Sequence, residues 1–195
     1  FYFDCSSPWT YLAFSEILPL SQRQGIEIIW KPILVGGVFN NVNQDVYEFR
    51  SKPNPLKLSY SNNDLAIWSK LRGIEIKFPK VFPVNSVKAM RGCLFACKVG
   101  KLEIFAKNVF QSYWSKGIDI SQEDHLFEIA KNSDLDSDEF SKFISSKEAK
   151  EIRDEIEKIE KDWPGALEGI NRNYIHLISP IFNRVCLNKN ILDAV

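Results

Sequence analysis

The 195-residue sequence predicts an α/β fold in which one domain is assembled from both ends of the chain and interrupted by a large all-helical insertion. Three observations lead there. The first thirty residues read strand, helix, strand. Apolar residues from about 56 to 162 recur at helical spacing, and β-prone segments return only near the end. The divided domain is placed at residues 1–35 and 165–195, and the helical insertion at residues 36–164.

Each element has its own signal. Residues 1–4 are strongly β-prone, and Ser7-Pro8 has the form of a helix start, with Ser7 as N-cap and Pro8 in the first turn. Tyr11, Leu12, Ile17 and Leu18 then recur at helical spacing up to Gln22, and Gly25 closes the segment. Pro19 removes a backbone donor inside this helix, which predicts a kink near Ser15 or two abutting helical pieces. Residues 26–30, I-E-I-I-W, read as a second strand, and the connection is long enough for a right-handed parallel crossover.

Beyond them the pattern is helical. A Gly-Gly loop at 36–37 and an Asn-rich stretch precede helices near 56–72, 86–99, 101–115, 121–131, 136–144 and 146–162. Ser121 and Asp124 approximate a capping box ahead of Leu126, Phe127 and Ile129. In the 146–162 helix Ile152, Ile156 and Ile159 form one stripe, and the alternating charges around them mark a solvated face. Residues 174–178 and 181–187 read as short β segments separated by Ser179-Pro180.

Composition limits the functions. Hydrophobic residues make up 45% and aromatic residues 13%, enough for a sizeable core. The 25 Lys and Arg balance the 25 Asp and Glu, so no net field points to nucleic acid or to an anionic membrane. No apolar run approaches the length of a membrane span, and the opening residues lack the two regions of a signal peptide. The chain opens on a strand pattern without an initiator Met, so further residues are expected ahead of Phe1.

Cys5, Cys93, Cys97 and Cys186 form neither a C-x-x-C pair nor a zinc arrangement. Cys93 and Cys97, four apart on a helix, read as small apolar residues of one buried face. A reducing cytoplasm is the expected location. His125 and His176 stand alone, so neither a metal site nor a Ser-His pair is expected.

The opening turn carries the chemical interest. A helix N-terminus offers unpaired N–H groups and the positive end of the helix dipole, which stabilise an anion by about 0.3–1 kcal/mol at exposed sites. The tetrad Ser7-Pro8-Trp9-Thr10 stands where a disulfide oxidoreductase of thioredoxin type has C-x-x-C, and both cysteines are replaced. A serine with no base beside it is a poor nucleophile but a good donor, able to hold the thiolate of another molecule. On spacing alone Ser7 is equally an ordinary N-cap, worth about 1 kcal/mol.

Several blocks in consistent order extend the reading. They are F-Y-F-D-C-S-S-P-W-T-Y-L at 1–12, W-K-P-I-L-V-G-G-V-F at 30–39, Lys57-Leu58-Ser59-Tyr60 with Asn63-Asp64-Leu65, and Trp68. G-I-E-I-K-F-P at 73–79, F-P-V-N-S-V-K-A-M-R at 82–91 and Y-W-S-K-G-I-D-I-S at 113–121 follow. Over about residues 1–160 the sequence resembles the 2-hydroxychromene-2-carboxylate isomerases and the related kappa-class glutathione transferases.

That resemblance implies a DsbA-like thioredoxin domain with a helical insertion, a homodimer, and glutathione as cofactor. Ser7 matches the serine that hydrogen-bonds the glutathione sulfur. Lys57 matches a basic residue that meets the tripeptide. An Asn in the preceding loop is also used, with Asn54 preferred here over Asn43, and Trp9 and Arg91 are pocket candidates. Ser179 and Pro180 overlie a loop with a cis-proline facing the catalytic serine, although Pro180 reads equally as a trans proline at a sheet edge. Asn188-Lys189-Asn190-Ile191 stands where a G-x-D-R segment is expected, and lacks its Gly and its Asp-Arg pair.

The leading functional expectation is glutathione-dependent isomerisation of a 2-hydroxychromene-2-carboxylate or similar aromatic enone acid. A kappa-class-like transferase and a degenerate, non-catalytic relative are the alternatives.

Overall fold

In the computed structural model the described residues are 1–42, 47 and 51–149. Strand β1 (Tyr2–Phe3) leads into helix α1 (Pro8–Gln24), β2 (Lys31–Pro32) and α2 (Val35–Val42). Then come α3 (Pro55–Arg72), α4 (Val87–Lys98), α5 (Leu102–Phe110), a π-helical turn at Gln111–Ser115, α6 (Glu123–Lys131) and α7 (Ser137–Ser145). The two strands pair in parallel with Tyr2 opposite Lys31 and Phe3 opposite Pro32. This is the β-α-β opening read from the sequence.

The second strand sits later than I-E-I-I-W. The pairing is made by Lys31 and Ile33: Lys31 N donates to Phe1 O and Ile33 N to Phe3 O, both at 3.0 Å. Residues 26–30 lie outside the strand, with Ile26 and Ile29 exposed, although Ile29 O accepts from the Phe1 amine at 2.6 Å. The Gly-Gly loop is also corrected, because Gly36 and Gly37 lie inside α2. A distant acceptor allows the helix to begin so early, since Val35 N donates to the Asp4 carboxylate at 2.9 Å.

Helix α1 is one element through Pro19 rather than two pieces. Gly25, at φ 62°, ends it: Gly25 N donates to Gln22 O and Ile26 N to Ser21 O, the paired closure that a left-handed residue permits. Gly73 closes α3 in the same way. The capping box at 121–124 does not form. Asp119 takes Ser121 N (2.9 Å) and Gln122 Nε2 (3.1 Å), leaving Gln122 as an uncapped start of α6.

The core joins the β-α-β unit to the helical part. Tyr11 stacks on Phe110 with ring centroids 5.1 Å apart, and Phe14 packs on both Trp30 and Phe110. Helix α4 is the centre of the helical part, with Ala89, Met90, Gly92, Cys93, Phe95 and Ala96 buried. At Gly92 an added Cβ would lie 2.8 Å from ring atoms of both Phe105 and Phe140. We expect Gly92→Ala to lower the free energy of unfolding by about 1–3 kcal/mol, read as a reduced urea midpoint.

Among the described residues no helix is long and apolar enough to cross a membrane. The β segments expected after residue 165, and the greater part of the 146–162 helix, lie outside the described residues.

Candidate functional site

Ser7 caps α1 as its sequence suggests, with Pro8 in the first turn. Its backbone is extended (φ −106°, ψ 125°), and its Oγ accepts from Thr10 N at 3.3 Å. That bond occupies a lone pair and leaves the hydroxyl proton free to donate. The residue is partly exposed, and Trp9 beside it is 40% exposed. The start of α1 therefore presents a hydroxyl, an aromatic face and a helix N-terminus together.

The turn that carries Ser7 is fixed from below by a residue to which the sequence reading gave no role. Asp4 is 2% exposed. One carboxylate oxygen accepts from Ser6 N (2.9 Å); the other accepts from Val35 N (2.9 Å) and Ser86 Oγ (3.0 Å). Three helices, α1, α2 and α4, thus start within reach of one carboxylate. Burial pushes its pKa up, while the bonds from Ser6, Val35 and Ser86 pull the other way. In the sequence the only trace is an Asp two residues before a Ser, the spacing of a local Asx turn.

Cys5 lies on the inner side of the same turn and is fully buried. Its N–H donates to Met90 Sδ (3.3 Å), and its carbonyl accepts from Trp114 Nε1 (2.9 Å). Burial raises its thiol pKa well above the ordinary value, and contact with Cys93 adds to the effect. Burial likewise pushes Cys97 to about 12. Neither has the exposed, low-pKa character of a redox thiol. The three cysteines among the described residues are free.

The other candidates belong to other elements. Asn54 is the N-cap of α3, its Oδ1 accepting from Leu56 N (3.0 Å) and Lys57 N (3.3 Å). Asn54 and the exposed Lys57 are thereby brought together in one helical turn. Arg91 Nη1 donates to Ile144 O (3.0 Å), tying α4 to the end of α7. Asn43, Ser179 and Pro180 lie outside the described residues; the cis peptide recorded among those described is Phe82–Pro83. Two cavities of about 620 and 730 Å³ are bounded by described residues, and neither lining includes Ser7, Lys57 or Arg91.

Residues 1–162 match the profile of the DSBA-like thioredoxin domain. The chain is 29% identical to 2-hydroxychromene-2-carboxylate isomerase of Pseudomonas putida over 158 residues, covering 80% of this chain and 74% of that one. To the enzyme of the same name from Pseudomonas sp. (strain C18) it is 30% identical over 161 residues, covering 80% and 71%. A solved structure of 2-hydroxychromene-2-carboxylate isomerase superposes with a TM-score of 0.66 at 27% identity, over 83% of this chain and 78% of that one.

Proposed function

The chain belongs to the DSBA-like thioredoxin family, among its 2-hydroxychromene-2-carboxylate isomerases, and we propose that it isomerises a chromene carboxylate or similar aromatic enone acid using glutathione. The observation that carries the reading is the Ser7 hydroxyl at the start of α1, with an uncommitted proton and with both cysteines of a redox tetrad replaced. Glutathione held there would supply a nucleophilic thiolate for reversible addition to the conjugated carbon, and it would be regenerated unchanged.

The chain's own residues have simpler tasks. Ser7 Oγ–H donates to the sulfur, and the helix N-terminus favours its negative charge. Lowering a thiol from about 9 to about 7 takes a few kcal/mol at 1.36 kcal/mol per pKa unit, the order that one hydroxyl donor and a helix terminus supply together. Lys57, with Asn54 at its side, is the proposed contact for the rest of the tripeptide, joined by Ser179 and Pro180; Trp9 and Arg91 are proposed for the acid. We further propose a cytoplasmic homodimer, which the free cysteines and the exposed apolar residues of α3 support.

Product analysis tests the chemistry. Catalytic amounts of glutathione are expected to sustain many turnovers of a chromene carboxylate, with free thiol constant by titration. Glutathione consumed in step with product would replace isomerisation by transfer. No heat of binding at millimolar glutathione, with the protein folded, would remove the cofactor and leave a non-catalytic relative.

A further inference from the structure

Helix α3 faces two ways. On one side Leu65 is buried, and near its end Arg72 Nη1 meets Glu16 of α1 at 2.7 Å. On the other side four large apolar side chains stand in solvent: Leu56 is 82% exposed, Tyr60 73%, Ile67 58% and Leu71 69%. At about 100° per residue the four fall within an arc of about 60°, roughly opposite Leu65, and so form one stripe. Single exposed apolar residues are ordinary, whereas a contiguous set marks a contact surface.

The order along the stripe fits a second copy of the same helix. Positions 56 and 71 are equally distant from the peptide between Asn63 and Asp64, and so are 60 and 67. A second copy of α3 laid antiparallel, with the two-fold axis at that peptide, sets Leu56 against Leu71 of the second copy and Tyr60 against its Ile67. Asn63 then lies at the axis. Such self-complementarity is what an isologous two-fold interface requires.

The basic residues of the helix stay out of the seam, and Asp64, beside Asn63 at the midpoint, is the charged residue nearest the axis. Lys57 and Lys70 also lie at equal distances from the midpoint, but about 140° apart around the helix, on opposite flanks, so the pairing keeps them apart. The four side chains of two copies bury on the order of 1,000 Å² together, at the lower bound of a specific interface.

We infer that α3 is the self-association surface, two copies pairing antiparallel through Leu56, Tyr60, Ile67 and Leu71. This rests on the homodimer proposed above and assigns its face. Helix α3 also carries Lys57 in its first turn, so pairing holds in place the helix on which that residue rides.

Two variants of the full chain test it. Asn63→Cys is expected to form an intermolecular disulfide under mild oxidation, seen on non-reducing gels above the background of the wild-type cysteines. Ile67→Asp is expected to weaken dimerisation at least about tenfold by light scattering over a dilution series, with an unchanged circular dichroism spectrum. A dimer that survives Ile67→Asp and is not cross-linked at position 63 overturns the α3 face and leaves the homodimer standing. A wild-type chain that is monomeric throughout overturns both, and a lower melting temperature of Ile67→Asp in that monomer would assign the stripe to another segment of the same chain.

Discussion

Replacing Ser7 by alanine is expected to cut turnover at least about tenfold while leaving the fold close to intact. Two roles of the hydroxyl are removed together, and they are separable. As N-cap the oxygen accepts from Thr10 N at 3.3 Å, and losing a cap costs about 1 kcal/mol. Helix α1 tolerates that, because Tyr11, Leu12 and Phe14 anchor it in the core. In the proposed reaction the hydroxyl would donate to a sulfur anion, the reacting atom, and a tenfold loss corresponds to about 1.4 kcal/mol of barrier. Melting temperature reads the first role. Turnover, with the near-240-nm absorbance of bound thiolate, reads the second. Wild-type turnover with a lowered melting temperature would reduce Ser7 to a cap.

Asp4→Leu is expected to be the most damaging single change to stability, by about 3 kcal/mol or more in urea denaturation. It strands the part-buried Ser6 N and Val35 N and the buried Ser86 Oγ at the starts of three helices, and a buried donor left without a partner costs about 1–3 kcal/mol. Turnover falls with it, since the turn beneath Ser7 loses its anchor.

The milder Asp4→Asn carries a pH signature. Burial raises the folded pKa of Asp4 above its ordinary 3.8, so the folded state holds the proton more tightly than the unfolded chain does. The stability this group contributes is therefore full below about 3.8 and is lost as pH rises through the folded value. The advantage of wild type over the non-titrating Asn variant is expected to shrink from acid toward neutral pH. An advantage that grows over that range would mean that the donors outweigh burial.

Where the signals were local, the sequence was sufficient. Ser7-Pro8 and Gly25 delimit α1, and the helices expected at 56–72, 86–99 and 136–144 appear within a residue or two of those bounds. The helix expected at 101–115 divides into α5 and a π-helical turn, where Ser112, Tyr113 and Trp114 are buried. Ser7 as the cap of α1 was legible for the same reason, because capping chemistry lies within four residues.

The errors and omissions arise from long-range contacts. Strand β2 is set by pairing to residues thirty positions earlier, so β-propensity alone placed it too early. Gly36-Gly37 reads as a loop until Asp4 is seen to receive Val35 N across 31 positions, and Ser86 reaches the same carboxylate across 82. Trp114 lies in the Y-W-S-K-G-I-D-I-S segment, but its donation to Cys5 O spans 109 positions and has no local pattern.

Met90 is the single methionine in the sequence, and its thioether accepts the Cys5 N–H in the buried layer under the Ser7 turn. An isotopically labelled ε-methyl there gives one assignable resonance in contact with the strand-to-helix bend. Occupancy of the site, strain in the bend and rearrangement of α4 can thus be followed at a single spectroscopic reporter without altering any residue.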